Sequence, residues 1–392
     1  MKEKTRLLIL IDNLDGGGAQ EILYQLCERL NRRTLDITVL SIHGQGIYKS
    51  RIESLGIRVE VLREKTGAAR IAAAVFHLGR IIDKRRFDLV HIFLSGAFLL
   101  AAPIAWAKRL PVIHSVLSVR RQPPGWYYPL LKLYEKFVTV FLALEEKELA
   151  ALAVSTARIK LCEVLLDLEP AYAGYAARIA RAGRHQDFVA VSAGRLHPEK
   201  GHDLAIRAWP TVVERYPGAR LLIAGTGPDE VRLLALIDAL GMGQSVDLIG
   251  FRSDLEELLA GADLFLKTSL NEGTNLVTFL AMASGLPIIA SANRAPKDYV
   301  THDYTGWVVP ADCRELGNAI VHLLESPQKR SRLGRTAHEA MRSYFDPARV
   351  IDFHERMYAN VVARQPRTML PSMKNEMWPV RNPFVPPAKG ER

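Results

Sequence analysis

Two cations stand five positions apart in the segment AGRLHPEKGHD, at Arg195 and Lys200. The segment follows an apolar run and contains Pro198 and Gly201, so the chain can fold back and direct both cations toward one point. Two convergent cations suit a pyrophosphate, especially where no metal ligands are present to neutralise it. The alternative is that both are solvated surface charges, which is the ordinary interpretation of an arbitrary Arg and Lys pair.

A single acidic residue, Glu272, lies near the start of SLNEGTNLVTFLAMASGLPIIAS. One interpretation is a first-turn carboxylate that the helix dipole favours. The other is a carboxylate that binds hydroxyls, with the backbone amides of 273–276 available for sugar oxygens or phosphate. In that second case the polar start of the helix faces a ligand and its apolar remainder packs in the core.

Other strand-end loops carry glycines or a cation. DNLDGGGAQ places Gly17 and Gly18 before a helix, GTGP contains Gly225 and Gly227, and GFRSD contains Arg252. Glycines allow close backbone approach, and a helix N-terminus offers unpaired N–H groups to an anion. A glycine run alone is more often a tight turn between strand and helix.

The elements that position these loops alternate. Short apolar runs such as RLLILID, DITVLSI and DLVHIFL alternate with amphipathic helical segments, and the pattern restarts at FVAVSAGR. Continuous apolar strands between helices indicate parallel sheets that are covered on both faces. We therefore predict an α/β fold of two doubly wound domains facing across a cleft, with ligands beyond the carboxyl ends of the strands.

We place the domain boundaries from the same pattern. We expect one domain over 1–182, a second over 183–345, and a C-terminal helix over 346–364 that packs back toward the first domain. The tail, 365–392, is rich in proline and charge and is predicted to be disordered. The apolar run 89–107 is long enough to span a bilayer, but His91, a Ser-Gly pair and Pro103 interrupt it, which favours a strand, a turn and a buried helix.

Charge is concentrated in the first half. Residues 1–180 carry 26 Lys and Arg against 18 Asp and Glu, out of a net charge of +10 for the chain. This excess indicates an anionic partner, such as a phosphate-bearing substrate or a membrane surface, and no module typical of nucleic-acid binding is present.

The three cysteines lie far apart without metal-ligand spacing, which fits a reducing cytoplasm. The apolar run in MKEKTRLLILID is too short for a secretory signal and indicates a buried strand.

In this order, the loops resemble those of glycosyltransferase family 4, the retaining transferases of GT-B architecture with two Rossmann-like domains. GGGAQEILYQLCERL is similar to the family's opening Gly-rich helix, and GRLHPEKGHDLAIRAW to its Gly-Arg-Leu…Lys-Gly segment. IAGTGP, LIGFRSDLEELLAGADLFL and SLNEGTNLVTFLAMASGLPIIAS follow in the family's order. The resemblance runs over most of residues 5–363.

The resemblance implies roles for individual positions. Arg195 and Lys200 match the pair that holds the donor diphosphate and stabilises the leaving nucleoside diphosphate without a metal, so no cofactor is expected. Glu272 matches the first glutamate of the family's Glu-x7-Glu motif, which lies at the donor sugar. His114, in PVIHSV at the predicted end of a first-half strand, matches the histidine that commonly faces that sugar, with a core histidine as the alternative. The remaining substrate-binding positions implied are Gly17, Gly18, Gly225, Gly227, Phe251, Arg252, Gly273, Thr274, Asn275 and Leu276, with Phe251 and Arg252 at the base.

Two positions depart from the family's pattern. The second glutamate of the motif, which hydrogen-bonds the nucleotide ribose in the family, falls on Leu280. Leucine accepts no hydrogen bond, so Thr278, another polar group or a water must substitute, or donor binding is weak. The segment RIKLCEVLLDLEP lacks the Pro-Asn-Gly-type turn that the family usually shows between its domains.

Two hypotheses follow for the function. The first is a retaining glycosyltransferase, hexosyltransferase-like, that moves a sugar from a nucleotide diphosphate donor to a saccharide or lipid-linked acceptor in cell-surface glycan synthesis. It would be cytoplasmic. One interpretation places it on the inner face of an anionic membrane, which a helix over 120–141 would contact through mixed basic and aromatic residues. The alternative is an ordinary helix that packs its aromatic residues in the core. The second is a non-catalytic homologue that binds a nucleotide or saccharide, or stabilises a partner. A sugar phosphorylase would need a pyridoxal-phosphate lysine site that the sequence does not show.

Overall fold

The computed structural model divides the chain into two compact units. One comprises 1–166 with 346–379, and the other comprises 167–345 with 380–392. The predicted boundary at 182 therefore lies too late, because the helix over 169–181 packs in the second unit. The structure describes residues 4–44, 46–63, 68–116, 132–143, 159–161, 165–181, 188–269, 276–291, 299–363 and 384–386.

The first unit is built on a parallel sheet. Its strands are β1 (Thr5–Asn13), β2 (Leu35–His43), β3 (Arg58–Arg63), β4 (Leu89–Phe93), β5 (Val112–Val116), β6 (Val140–Ala143) and β7 (Ile159–Leu161). They pair in the order β3-β2-β1-β4-β5-β6-β7, all parallel. In β1, Leu7 and Ile9 face one hydrophobic core while Leu8 and Leu10 face the other. A strand buried on both faces explains the unbroken apolar run in the sequence.

Helices cover both faces of this sheet. They are α1 (Gly18–Arg29), α2 (Gly46–Ser54), α3 (Ala68–Arg85) and α4 (Ser95–Ala107). Leu23 of α1 and Ile52 of α2 belong to one core, and Leu78 of α3 and Phe98 of α4 to the other. The apolar run 89–107 thus forms β4 and α4. Within the described parts of the chain, none of the helices is both long and apolar enough to cross a bilayer.

The second unit repeats the design. Its strands are β8 (Val189–Ala193), β9 (Arg220–Ala224), β10 (Val246–Leu248), β11 (Leu264–Lys267), β12 (Ile288–Ser291) and β13 (Trp307–Val309). They pair in parallel in the order β10-β9-β8-β11-β12-β13. Its helices are α5 (Glu169–Arg181), α6 (His202–Arg215), α7 (Glu230–Ala239), α8 (Leu255–Ala260), α9 (Leu276–Ala283), α10 (Cys313–Leu324) and α11 (Pro327–Tyr344).

The strand order creates a switch point in each sheet. From β8 the chain crosses to β9 on one side, whereas from β11 it crosses to β12 on the other. β1 and β4 hold the corresponding positions in the first sheet. Connections that diverge leave a crevice at the carboxyl ends of these neighbouring strands, where open α/β sheets bind their ligands.

The chain returns to the first unit at its C-terminal helix, α12 (Pro347–Val362). Its apolar face, including Phe353 and Met357, lies in the same core as Leu23 of α1. Most of the predicted tail lies outside the described residues. Phe384 is an exception, because it is buried against Tyr299 and accepts a hydrogen bond from Thr301 Oγ1 at 2.7 Å.

The helix predicted over 120–141 is wrong at its end. Residues 117–131 lie outside the described residues, and a 3-10 turn occupies Glu135–Phe137. Strand β6 then begins at Val140, because the β-branched and aromatic run VTVF suits a buried strand better than a helix.

Candidate active site

The loop after β8 brings two of the predicted residues to one strand end. Gly194 follows the strand with φ +152°, and a 3-10 turn over Pro198–Lys200 leads into Gly201 with φ +63°. The turn folds the Lys200 side chain back over Gly194, with its Cδ 3.6 Å from where a Cβ of Gly194 would lie. The charge of Arg195 is close enough to lower the pKa of Lys200. Both cations therefore belong to the carboxyl end of β8, at the switch point.

A third cation at this switch point is Lys267, which sequence reasoning missed. It is the last residue of β11, the strand beside β8, and it is only 3% exposed. Burial, with the charge of Lys200, lowers the pKa of Lys267 to about 7. Burial, with the charge of Arg195, lowers the pKa of Lys200 to about 8. The available signal was a lysine inside the apolar run DLFLKTS, since a charged residue in a buried strand is costly without a role.

The loops at this end are locked together through their backbones. Gly194 N–H donates to Ala224 O at 2.9 Å, and Leu196 N–H donates to Thr226 O at 2.9 Å. A Cβ at Gly225 would overlap the carbonyl oxygen of Gly194, and one at Gly227 would overlap that of Leu196. The structure gives these two glycines a packing role, and their predicted binding of substrate stays a prediction.

The predicted base-reading residues follow β10 and are exposed. Phe251 is 54% exposed and presents an open aromatic face. Arg252 forms a bidentate pair with Asp254, with Nε donating to Oδ1 at 2.7 Å. Stacking suits Phe251, because every nucleobase offers a π-face. Arg252 would have to leave its carboxylate partner to contact a base.

The motif around Glu272 is only partly visible. Glu272, Gly273, Thr274 and Asn275 lie outside the described residues, and Leu276 is the first residue of α9. Leu280 is 7% exposed, in the buried part of that helix. Thr278 is buried too, so its hydroxyl does not face solvent in place of the missing glutamate.

The glycine loop of the first unit is braced by side chains at its two ends. Asn13, at the end of β1, accepts through Oδ1 from Asp15 N–H at 3.2 Å and from Gln20 Nε2 at 2.8 Å. Gln20 also donates to the backbone oxygen of Asn13 at 3.2 Å. The predicted residues Gly17 and Gly18 lie between these anchors, directly before and at the start of α1.

A carboxylate occupies the neighbouring helix end. Asp12, also on β1, accepts from Gly96 N–H at 3.2 Å and from Ala97 N–H at the start of α4. Burial raises the pKa of Asp12 above its usual value, while those two hydrogen bonds oppose the rise. The Asp12 carboxylate therefore occupies the N-terminus of α4, where an anionic ligand could otherwise bind. Of the two loops that follow β1 and β4, the loop before α1 is the one that could bind such a ligand.

His114 lies in the interior of β5, whereas the sequence analysis placed it at a strand end. Its Nδ1–H donates to Ile92 O at 3.1 Å, and its ring stacks on Phe98 with centroids 4.1 Å apart. Burial lowers its pKa to about 4, so the ring is neutral at pH 7. With the proton on Nδ1, Nε2 is an acceptor, which suits a sugar hydroxyl and excludes proton donation from that nitrogen.

A second buried histidine joins the C-terminal helix to the sheet. His91 Nδ1 lies 2.8 Å from Tyr358 Oη, and its Nε2 lies 2.8 Å from Ser115 Oγ. Burial, with the nearby rings of His354 and His114, holds its pKa well below its usual value. A neutral imidazole donates at one nitrogen and accepts at the other, so both partners are satisfied. This network positions α12 in the first unit and was missed, because no local pattern links His91 with Tyr358.

Among the residues that the structure describes, no group of three or more His, Cys, Asp and Glu side chains is arranged to hold a metal ion. The absence of a cofactor stays a prediction of the sequence analysis.

Two family models match the chain, one in each unit. The model described as glycosyl transferases group 1 matches residues 177–340, and the glycosyl transferase 4-like domain matches residues 17–142.

Curated relatives agree with these matches. EpsD of Bacillus subtilis (strain 168), named as a glycosyltransferase, is 24% identical over 309 residues, which are 72% of this chain and 79% of EpsD. The lipopolysaccharide core biosynthesis glycosyltransferase LpsD of Rhizobium meliloti is 30% identical over 181 residues, which are 45% of this chain and 51% of LpsD. Several other relatives are likewise matched over less than two thirds of their own length.

Solved structures share the fold. The crystal structure of Anabaena Alr3699/HepE in complex with UDP-glucose superposes with a TM-score of 0.76 at 21% identity, covering 93% of this chain and 100% of that one. The predicted α/β fold of two Rossmann-like units, GT-B, is thereby confirmed. Since the two family matches together take in more than half of the sequence, the chain belongs to the group 1 glycosyltransferases, a family of enzymes.

Proposed function

We propose that this protein transfers a sugar from a nucleotide diphosphate donor to a hydroxyl of a saccharide or lipid-linked acceptor, with retention of configuration and without a metal. The observation that carries the proposal is the convergence of Arg195 and Lys200 at the carboxyl end of β8. The crystallised relative HepE binds UDP-glucose, and LpsD acts in lipopolysaccharide core biosynthesis. Both support a nucleotide-sugar donor and a role in cell-surface glycan synthesis.

The cations suit the departure of a diphosphate. As the bond between the sugar and the diphosphate breaks, negative charge accumulates on the leaving phosphate oxygens. Fixed cations in a partly buried site stabilise that charge more than solvated ones would, because the surroundings screen them less. Lys200 meets this requirement since it is held over Gly194 and is half-buried. Glu272, from its position in the motif, is assigned to the donor sugar. In the first unit, His114 Nε2 is an acceptor that suits a sugar hydroxyl.

Leu280 weakens the ribose end of the proposed donor site. Losing the hydrogen bonds of a carboxylate to the ribose hydroxyls costs about 1–3 kcal/mol, or roughly tenfold to a hundredfold in affinity. The remaining affinity must then come from the phosphates, the sugar and the base. An alternative, motivated by the same residue, is a non-catalytic protein that binds a nucleotide or saccharide.

The test is release of nucleoside diphosphate from a panel of nucleotide-sugars in the presence of an acceptor extract. We expect release with at least one donor and its loss in Lys200→Ala. Arg215→Ala is the matched control, because it removes an exposed cation, paired with Glu325, at the far end of α6. Binding of a nucleotide without release across donors would favour the non-catalytic alternative.

An anionic membrane surface is the proposed site of the acceptor, on the inner face of the cytoplasmic membrane. An exposed patch supports it, with Trp106 55% and Leu133 56% exposed. The Trp106 ring lies 5.3 Å from that of Phe137, beside exposed lysines at 132 and 136. Exposed aromatic and aliphatic groups ringed by cations are typical of proteins that lie on anionic bilayers.

Vesicle sedimentation tests this contact. We expect binding to vesicles that contain phosphatidylglycerol and not to vesicles of phosphatidylcholine alone. The double variant Trp106→Ser, Leu133→Ser should lose most of that binding and keep activity on a soluble acceptor. Equal sedimentation of the wild type with both vesicle types, or with neither, would contradict the membrane contact.

A further inference from the structure

Lys267 is an unusual residue for its position. It ends a strand whose other members, Leu264 to Leu266, are buried apolar residues. Its register partner on β12 is Ala290. Burial of this amine, with the charge of Lys200, lowers its pKa to about 7.

The end of β11 is fixed against the loop that carries Arg195 and Lys200. Thr268, the next residue, donates from Oγ1 to the backbone oxygen of Lys200 at 3.2 Å. Gly201 packs so closely on Thr268 that a Cβ there would overlap the Thr268 carbonyl oxygen. The left-handed φ of +63° at Gly201 makes the same position unsuitable for other residues. The end of β11 and the loop after β8 are therefore fixed against each other, so the backbone of Lys267 stays near that of Lys200.

Electrostatics supports the same grouping. The charge of Lys200 lowers the pKa of Lys267, and the charge of Arg195 lowers that of Lys200. The three basic residues thus belong to the neighbouring carboxyl ends of β8 and β11 and are electrostatically coupled. Mutual repulsion within such a group decreases when a polyanion binds.

We propose that Lys267 is a third cation of the donor diphosphate site and, with Arg195 and Lys200, concentrates the binding energy of the donor on its phosphates. This inference rests on the proposed function and names a residue that the motif comparison did not assign. It also accounts for Leu280. A site with an additional phosphate-binding cation can tolerate the loss of the ribose carboxylate and still retain the donor.

The inference predicts which ligands bind. Inorganic pyrophosphate, which has neither ribose nor base, should bind to the ligand-free protein. UDP should bind far more tightly than UMP, because the second phosphate is needed to contact the cation group. In a site where ribose and base contacts dominate, pyrophosphate would bind poorly and UMP would approach UDP.

The experiment is calorimetry of pyrophosphate, UDP and UMP with wild type, Lys267→Met and Lys267→Arg. Methionine keeps the length and removes the charge, so we expect pyrophosphate and UDP affinity to fall about tenfold to a hundredfold, the usual effect of losing a charged hydrogen bond. Arginine keeps the charge and should retain affinity within about threefold. Thermal unfolding of each variant shows whether the fold is intact, and Lys329→Met, a surface lysine over the Trp307 ring, is the control.

The outcomes separate this inference from the proposed function. If Lys267→Met is folded and binds UDP and pyrophosphate as the wild type does, Lys267 is not part of the site. If the wild type binds neither ligand, the anion site itself is refuted. If the affinities change as expected but no donor is turned over, the inference about Lys267 stands and the transferase proposal falls.

Discussion

Binding of a nucleoside diphosphate should be accompanied by proton uptake at neutral pH. In the ligand-free protein the pKa of Lys267 is about 7 and that of Lys200 about 8. At pH 7.5 a group with pKa 7 is about three-quarters neutral and one with pKa 8 about one-quarter neutral. A bound diphosphate favours the charged form of both amines and raises both pKa values. Together the two lysines should therefore take up about one proton per UDP bound.

The assay is calorimetric titration of UDP in buffers with different enthalpies of ionisation. The slope of the observed enthalpy against the buffer enthalpy gives the number of protons exchanged. The terminal phosphate has a pKa near 6, so at pH 7.5 it is almost fully ionised and contributes little. At pH 6 both lysines are already charged, and the uptake should fall to about one tenth of a proton, apart from the phosphate itself.

Variants assign the protons. Lys267→Met should reduce the uptake at pH 7.5 from about one proton to about one quarter, which is the share of Lys200. Lys329→Met should leave it unchanged. Binding of UDP with no proton uptake at pH 7.5, or an uptake that Lys267→Met does not alter, would refute the argument that burial and mutual repulsion hold these amines partly neutral.

Three further predictions concern stability. Burial lowers the pKa of Lys267 from 10.5 in the unfolded chain to about 7 in the folded one, so its penalty is largest below pH 7 and decreases as the pH rises to 10.5. Lys267→Met should stabilise the ligand-free protein by about 1–3 kcal/mol at pH 7 in urea unfolding, with the difference shrinking toward pH 10, and a constant difference would contradict this. Gly225→Ala should cost more than about 2 kcal/mol, because φ is +144° and the new Cβ would overlap a backbone oxygen, whereas Gly243→Ala, with open space around it, should stay within about 0.5 kcal/mol. Tyr358→Phe should cost about 1–3 kcal/mol in thermal unfolding, because a buried ring nitrogen of His91 loses its partner, and an unchanged Tm would show that the network does not stabilise α12.

The strands and their parallel arrangement follow from patterns that act locally. A run such as RLLILID must be buried on both faces, and alternation with helices leaves a parallel sheet as the only arrangement that covers it. The same logic predicted where Arg195 and Lys200 would lie, because a loop that directly follows a strand is fixed at the carboxyl edge. Residue type and position along the chain were sufficient for these conclusions.

Other features depend on contacts that no local pattern encodes. His91, Ser115 and Tyr358 are separated widely in sequence and meet only once α12 returns to the first unit. His114 was predicted at a strand end and lies inside β5, since the strand continues to Val116. The boundary at 182 was wrong because helix α5 packs on α8 in the second unit, a preference set by tertiary contacts and not by its Ala-rich sequence.

If Lys267 binds the donor phosphates as proposed, Lys267 and Leu280 together shift the binding energy of the donor from its ribose to its phosphates. A site that reads ribose through a carboxylate also places a negative charge near the donor phosphates, and that charge opposes their binding. Replacing the carboxylate by leucine removes this repulsion, and a buried lysine beside Lys200 adds attraction at the phosphates. The sequence alone presents Leu280 as a loss, because the proposed compensating cation ends strand β11, thirteen positions earlier. In the proposed donor site Lys267 and Leu280 act in the same direction, and both are consistent with a site that depends mainly on the diphosphate.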